Sequence, residues 1–171
     1  MAAAGVSSLG LLLGYAGGTF DTKPSSFTLL TRINAIGGIA LETEQIDASA
    51  LEDLVTRYVA GRADSGGTFP VTVNLTDETI DEWKTVIDLS KTQVQEGNTV
   101  WFEVYSPNLD DAFYICAETP QEIPMPDFEQ NSLMTVEIVL VINEYKGLDT
   151  AIEPEGSTGS TGGSGTTGQG G

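Results

Sequence analysis

The chain has 171 residues, a formal net charge of -18 and no histidine. Only 7 residues are Lys or Arg, without a basic stripe, which argues against binding to nucleic-acid phosphates by charge attraction. The lack of histidine excludes His-based triads, His metal ligands and an imidazole general base. The single cysteine, Cys116, lies in the apolar run AFYICAE and is interpreted as a small buried hydrophobe.

Composition divides the chain into three parts. Residues 1–24 are interpreted as an N-terminal arm. A signal peptide would have Lys or Arg before its apolar run, and no such residue precedes the run here. The run is also far shorter than the roughly 20 residues of a membrane span, so we expect no membrane anchor. Residues 25–152 suit one β domain with a single core. Residues 153–171 end in Gly, Ser and Thr, which is typical of a flexible tail.

The first predicted elements are two strands, over residues 27–34 and 37–46, with Gly37 and Gly38 at a bend or bulge. Within the second strand, Glu42 and Glu44 share one face. Two neighbouring glutamates on one face indicate solvent or a water-filled space, not a core.

The next segment, residues 47–61, predicts a short helix inside a long connection between strands. Ser49 followed by Glu52 has the spacing of a capping box, and Gly61 ends the pattern. Apolar residues recur at helical spacing between them: Leu51, Leu54, Val55 and Tyr58. A long ordered insert of this kind is usually functional or interfacial.

The remaining pattern predicts a strand, a long helix and three further strands. The helix begins at the N-cap Thr76 and is closed by Gly97. Its apolar face consists of Ile80, Trp83, Val86, Ile87 and Ser90. The predicted strands are residues 68–75, 99–106, 112–118 and 133–143. Six or seven strands with one helix favour a sandwich or barrel, with the helix across one opening or face.

Few residues suggest chemistry. Glu42 and Glu44 form a carboxylate pair of the kind that hydrolases use, but no cleft signature or aromatic sugar platform accompanies them. Glu103 and Glu137 each lie mid-strand among apolar residues, so each faces either water or a buried partner such as Arg32.

From about residue 25 to residue 150, the order and spacing of several phrases resemble the major tail tube proteins of long-tailed bacteriophages. One phrase is INAIGGIALETEQIDASALED, with Ile46, Asp47, Ser49, Leu51 and Asp53 at the matching positions. A second is RYVAGRADSGGTFPVTVNL, and a third is EIPMPDFEQNSLMTVEIVLVIN. Two mild departures are Ser49, where threonine is commoner, and Ala60, where a proline is expected.

The resemblance implies a mainly β, tail-tube-type sandwich or half-barrel with one flanking α-helix and a long inter-strand loop. It implies a non-enzymatic virion protein, without cofactor, that is assembled in the host cytoplasm. Six copies would form a ring, and stacked rings would form a hollow tail tube through which genomic DNA passes without specific binding during ejection. The implied partners are other copies of the chain, a tape measure protein, and tail tip and terminator proteins.

The resemblance also assigns roles to residues. The long loop would contact neighbouring subunits through Ile46, Asp47, Ser49, Leu51, Asp53, Leu54, Val55, Tyr58 and Gly61. The candidates for carboxylates that line the lumen and repel DNA are Glu42, Glu44, Glu103 and Glu137.

Several alternatives remain open on sequence alone. The chain could be the related tube protein of a type VI secretion or contractile injection system. It could also be a secreted β-sandwich binding module, or a hydrolase with paired carboxylates. Within the tube interpretation, the segment after Ile46 could be a lid over the protein's own core in place of an assembly loop.

Overall fold

The computed structural model describes residues 10–52, 54–64 and 67–156. Over these residues the chain is mainly β, with nine strands and one helix, which confirms the expected fold class. The elements in chain order are β1 (Leu12–Gly18), β2 (Thr28–Leu30), β3 (Ile33–Ile36), β4 (Glu42–Asp47), β5 (Tyr58–Asp64), β6 (Thr68–Asn74), α1 (Asp77–Gln95), β7 (Thr99–Tyr105), β8 (Asp111–Glu118) and β9 (Thr135–Thr150).

Seven strands form one antiparallel sheet in the order β2-β1-β7-β8-β9-β6-β3. Its two outermost strands, β2 and β3, are separated in the chain only by Thr31 and Arg32. That connection spans at most about 10 Å, whereas the edges of a flat seven-stranded sheet would lie about 29 Å apart. The sheet therefore curls into a barrel. Arg32, with φ 58, takes the left-handed backbone conformation at the point where the chain passes from one edge to the other.

Helix α1 connects the far ends of β6 and β7 and packs against β1 and β7. It begins after the expected N-cap, Thr76, where a capping box forms: the Thr76 side chain accepts from the Thr79 N–H and the Thr79 side chain accepts from the Thr76 N–H. Asp77 and Glu78 lie in its first turn, where the helix dipole favours negative charge. The side chains of Trp83 and Val86 join the barrel core, as the helical spacing predicted.

The core follows from strict alternation along the strands. On β9, Val136, Ile138, Leu140 and Ile142 are buried, while the residues between them are exposed. A second, smaller cluster lies on the other face of the sheet around Tyr114, Trp101 and Phe27. The sheet is thus covered on both sides near β7 and β8, which explains why these strands contain nearly continuous apolar runs.

The sequence-based division at residue 24 does not hold. Residues 12–18, assigned to an arm, form β1, which pairs with β7 from Leu12 opposite Tyr105 to Gly18 opposite Thr99. The glycines in LLGYAGG obscured this strand because glycine is depleted in strands. Gly14 is needed here, since an added Cβ would lie 3.0 Å from the ring of Pro154.

The C-terminal boundary also moves. The Glu155 N–H donates to the Phe27 carbonyl at 2.9 Å, and the Leu29 N–H donates to the Glu155 carbonyl at 2.8 Å. Pro154 is buried between these contacts. The segment up to residue 156 therefore packs on the barrel, while the rest of the predicted tail lies outside the described residues. Within the described part, no helix is long and apolar enough to cross a membrane.

Candidate assembly surface

Strands β4 and β5 form a separate two-stranded hairpin between β3 and β6, outside the barrel sheet. Pairing runs from Glu42 opposite Asp64 to Asp47 opposite Tyr58, with an irregularity near Gly61. Gly61 fits there because an added Cβ would lie 3.0 Å from the Glu44 carbonyl oxygen. The hairpin leaves the barrel at the end opposite α1, because it joins the C-terminal end of β3 to the N-terminal end of β6.

The helix predicted over residues 51–61 is not present; Tyr58–Asp64 is a strand, and the residues before it form a loop. Ser49 does not cap a helix. Its N–H donates to the Asp47 side chain at 2.9 Å, and its hydroxyl accepts from the Arg57 N–H at 2.8 Å, which closes the hairpin. Hydrogen bonds from the side chain and then the backbone of Ser49 hold the pKa of Asp47 below its ordinary value.

The loop that connects these strands, here called the hairpin tip (described residues 48–52 and 54–57), exposes its apolar side chains. Leu51 and Leu54 have relative exposures of 110% and 102%, and Val55 of 75%. The side chains of Ile46 and Tyr58, on the two strands that flank the tip, are more than half exposed. Asp53, the remaining residue of the predicted assembly loop, lies outside the described residues. Nothing within the described chain covers these residues, so a lid over the protein's own core is not what this arrangement shows.

The base of the hairpin surrounds an acidic concavity of about 690 Å³. The structure brings Glu42 and Glu44 together there, with Arg62 and Asp64 of β5 and Asn143 of β9. Glu42 stands directly opposite Asp64 in the hairpin, and like charges in that position disfavour strand pairing.

The other two carboxylates proposed for the lumen differ in exposure. Glu137 is exposed on β9, opposite Thr72 of β6. Glu103 is 0% exposed and cannot line a water-filled channel, so that assignment is wrong. Its partners are the Tyr114 hydroxyl and the Ile152 N–H at 3.1 Å, not Arg32. Burial, the largest influence, raises the pKa of Glu103 above its ordinary value.

An apolar cavity of about 240 Å³ opens at the same end of the barrel as the hairpin. We call it the mouth cavity; its walls include Ile36, Ile39, Phe69, Val104, Phe113 and Ile115. Gly37 and Gly38 form part of its rim. Sequence analysis identified the glycine bend but not the cavity, because the walls come from five strands or their ends that are distant in sequence.

A second exposed apolar segment was also missed. Met125, Phe128, Leu133 and Met134 are all more than half exposed along the crossing between β8 and β9. Its prolines and turn residues suggested only a connection. The signal that could have identified it is the spacing of large apolar residues in a segment without strand or helix periodicity.

Among residues 10–52, 54–64 and 67–156, no three His, Cys, Asp or Glu side chains come together as a metal site would require. Cys116 is buried, as predicted, and burial raises the pKa of its thiol to about 12.

Comparison with known proteins finds a likeness in fold. No family model matches the sequence, and no curated protein matches it. Among solved structures, a chain in the C6-symmetric tail of an empty GTA particle is similar, with a TM-score of 0.51 and 16% identity over 83% of this chain and 96% of that one. The chain therefore has a phage tail-tube-type fold.

Two further solved structures are similar at lower scores. A chain in the virion of a native gene transfer agent (GTA) particle has a TM-score of 0.48 and 15% identity, over 86% of this chain and 100% of that one. A chain in the six-fold symmetrised baseplate of the anti-feeding prophage (AFP) has a TM-score of 0.48 and 13% identity, over 88% and 97% of the two chains.

Proposed function

We propose that this protein is a non-enzymatic virion protein that self-assembles into stacked rings. The rings would form a hollow tail tube through which DNA passes. Six copies to a ring is the number proposed, in keeping with the C6 symmetry of the similar GTA tail. The proposed location is the virion tail, after assembly in the host cytoplasm. A tape measure protein and tail tip and terminator proteins would be its partners there.

The observation that supports this proposal most directly is the exposed hairpin tip. Burial of one aliphatic side chain is worth about 1.5–3 kcal/mol, so leaving Leu51, Leu54 and Val55 in water forgoes several kcal/mol. Clustered apolar exposure of this kind marks an interaction surface. A surface on a neighbouring copy would recover that free energy.

The isolation of the hairpin supports the same conclusion. A two-stranded hairpin is at best marginally stable in water without a sheet or helix to pack on. Here β4 and β5 pair only with each other, and their residues other than Gly61 are exposed. Contacts from neighbouring subunits would supply the missing support and cover the open strand edges.

Charge supports the role as a DNA conduit. A net charge of -18 repels phosphate, and Glu42 and Glu44 concentrate carboxylates in the concavity beside the hairpin. With Glu137 exposed on β9, these are the residues we propose to face the lumen. A wall of fixed negative charge would let DNA pass without binding.

The test is assembly of the purified full chain at rising concentration, followed by sedimentation and negative-stain electron microscopy. The wild-type protein is expected to form rings or hollow tubes of uniform bore. Leu54→Asp and Tyr58→Asp are expected to give folded monomers that do not assemble.

Val94→Asp is the matched control, because Val94 is an exposed apolar residue on α1, away from the hairpin. It should assemble like the wild type. Wild-type protein that stays monomeric at every concentration would contradict the proposal, and so would normal assembly of both hairpin variants. Loss of folding in Leu54→Asp, measured by circular dichroism, would contradict the exposed position of Leu54 in the single chain.

A further inference from the structure

Resting on the proposed function, we propose that the hairpin tip of one copy inserts Leu54, with Leu51 or Val55 beside it, into the mouth cavity of a second copy. The tip exposes apolar side chains that no surface of the described chain covers, and the mouth cavity is an apolar cavity that no side chain of the described chain fills. Both belong to the same chain, so identical molecules supply the two halves of the contact.

The chain cannot fill its own cavity while the hairpin is extended. A paired strand rises about 3.4 Å per residue, so Asp47 lies about 17 Å from Glu42 at the hairpin base. The rim of the cavity, at Gly37 and Gly38, precedes that base in the chain. Pairing up to Asp47 and the Ser49 hydrogen bond to Arg57 hold the tip away from its own barrel.

The cavity suits an aliphatic side chain in size and chemistry. An apolar cavity of about 150 Å³ lined by Leu, Ile and Phe accommodates benzene, so about 240 Å³ has room for one leucine and part of its neighbour. The side chains of the walls are isoleucine, valine and phenylalanine, with one tyrosine, Tyr145, and Phe113 at the edge is 37% exposed. A polar ligand would find few partners there.

The contact is heterologous, since the tip and the cavity are different surfaces of one molecule. Such contacts repeat from copy to copy and generate either closed rings or open helical stacks, according to the rotation between neighbours. Insertion of the tip is therefore a contact that every copy can repeat with the next, as a tube requires. It does not stop at a dimer.

Disulfide trapping tests the docking directly. Leu54→Cys and Phe113→Cys are prepared as separate full-length variants, mixed and mildly oxidised, and the linked peptides are identified by mass spectrometry. Cys116 is buried and does not interfere. Leu54→Cys mixed with Asp88→Cys, an exposed position on α1, is the control. Docking should raise the yield of the tip–cavity disulfide on the order of tenfold above that of the control pair, because docking holds the two thiols at a high effective concentration.

A second variant tests the cavity without cysteine. An added Cβ at Gly38 meets nothing within 4 Å, and its φ is not positive, so Gly38→Leu should fold while narrowing the mouth cavity. Gly156→Leu is the matched control, since Gly156 has the same open surroundings far from the hairpin. Gly38→Leu should weaken self-association about ten- to a hundredfold, the effect of failing to bury one aliphatic side chain.

The outcomes separate this inference from the tube proposal. Tubes that form without tip–cavity disulfides above the control overturn the docking and leave the tube proposal standing. Tip–cavity disulfides without rings or tubes support the docking and overturn the tube proposal. Gly38→Leu protein that is folded and assembles like Gly156→Leu overturns the docking.

Discussion

The hydroxyl of Tyr114 lies within hydrogen-bond distance of both the buried Glu103 carboxyl and the Thr150 carbonyl oxygen, the latter at 2.7 Å. A tyrosine hydroxyl has one hydrogen, and a backbone carbonyl only accepts. The single hydroxyl hydrogen of Tyr114 is therefore shared between two acceptors, the Glu103 carboxyl and the Thr150 carbonyl oxygen. Among the described residues, the other carboxyl oxygen of Glu103 is buried without a hydrogen-bond partner, which adds to the free-energy cost of a charge at this position.

The pH dependence of stability should show this directly. Burial raises the folded-state pKa of Glu103, so its contribution to stability is fully present below the unfolded-state pKa of about 4.3. The contribution is lost as the pH rises through the folded-state pKa. Glu103→Gln keeps a neutral side chain of the same shape, so its stability relative to wild type should improve as the pH rises. Denaturant unfolding at a series of pH values measures the difference.

Other carboxylates titrate in both proteins, so their effects cancel in that comparison. Glu137→Gln, which removes a carboxylate from an exposed position on β9, is measured in parallel as the control. Parallel profiles for wild type and Glu103→Gln would show that folding does not shift the pKa of Glu103, despite its burial.

Glu103 also shows a limit of sequence reasoning. A glutamate in the middle of an apolar strand was expected to face water or a buried partner, and the alternation of β7 could not decide between them. Its partners, Tyr114 and Ile152, lie 11 and 49 residues away in the chain. Only the pairing of β7 with β8 and the course of the C-terminal segment bring them together.

Helix α1 was predictable because local and tertiary signals agree there. Thr76 caps it, and the apolar spacing from Trp83 to Ser90 matches a surface that the barrel provides. At the hairpin tip, similar spacing from Leu51 to Tyr58 does not produce a helix. An amphipathic pattern stabilises a helix mainly through packing, and the single chain offers the tip no surface. Cross-strand pairing of Asp47 with Tyr58 prevails instead.

The glycine bend before the hairpin should be sensitive at one residue and not at the next. At Gly37 an added Cβ would lie 2.3 Å from the Pro70 ring, and the Gly37 N–H donates to the Pro70 carbonyl at 2.8 Å. Gly37→Ala should therefore lower the free energy of unfolding by about 1–3 kcal/mol through overpacking. Gly38→Ala, with open space around the new methyl group, should change it little. Equal losses measured by urea unfolding would contradict this explanation.

The junction that closes the barrel depends on Glu82 of α1. Its carboxylate accepts from the Thr31 N–H at 3.0 Å and from the Thr31 hydroxyl at 2.8 Å, between β2 and β3. Hydrogen bonds to a charged group are worth about 1.5–3 kcal/mol each when partly buried. We expect Glu82→Ala to destabilise the protein by about 2 kcal/mol or more on that basis.

Asp81→Ala is the control for that variant, because Asp81 is exposed on the neighbouring helix position. It should leave the denaturation midpoint nearly unchanged. If Glu82→Ala also leaves the midpoint unchanged, the link between α1 and the barrel edges does not hold the barrel closed.

If the acidic concavity faces the lumen, DNA retention by the tube should depend on where positive charge is introduced and not on the total charge. Glu42→Lys with Glu44→Lys changes the net charge from -18 to -14, since each substitution adds two charges. Assembled tubes of this variant should retain short duplex DNA, whereas wild-type tubes should not. Each subunit that contacts two phosphates should add about -2 to the slope of log affinity against log salt. Fluorescence anisotropy of labelled DNA at increasing salt measures both quantities.

The matched control for this prediction makes the same charge change on the exposed face of α1, as Asp81→Lys with Asp88→Lys. If Glu42 and Glu44 line the channel, only their replacement exposes passing DNA to lysines at close range, and the helix variant should retain much less. Because all four positions are exposed, neither variant should lose more than a small part of its stability. Equal DNA retention by the two variants would mean that the concavity does not face the lumen, and that the hairpin base lies on the outside of the assembly.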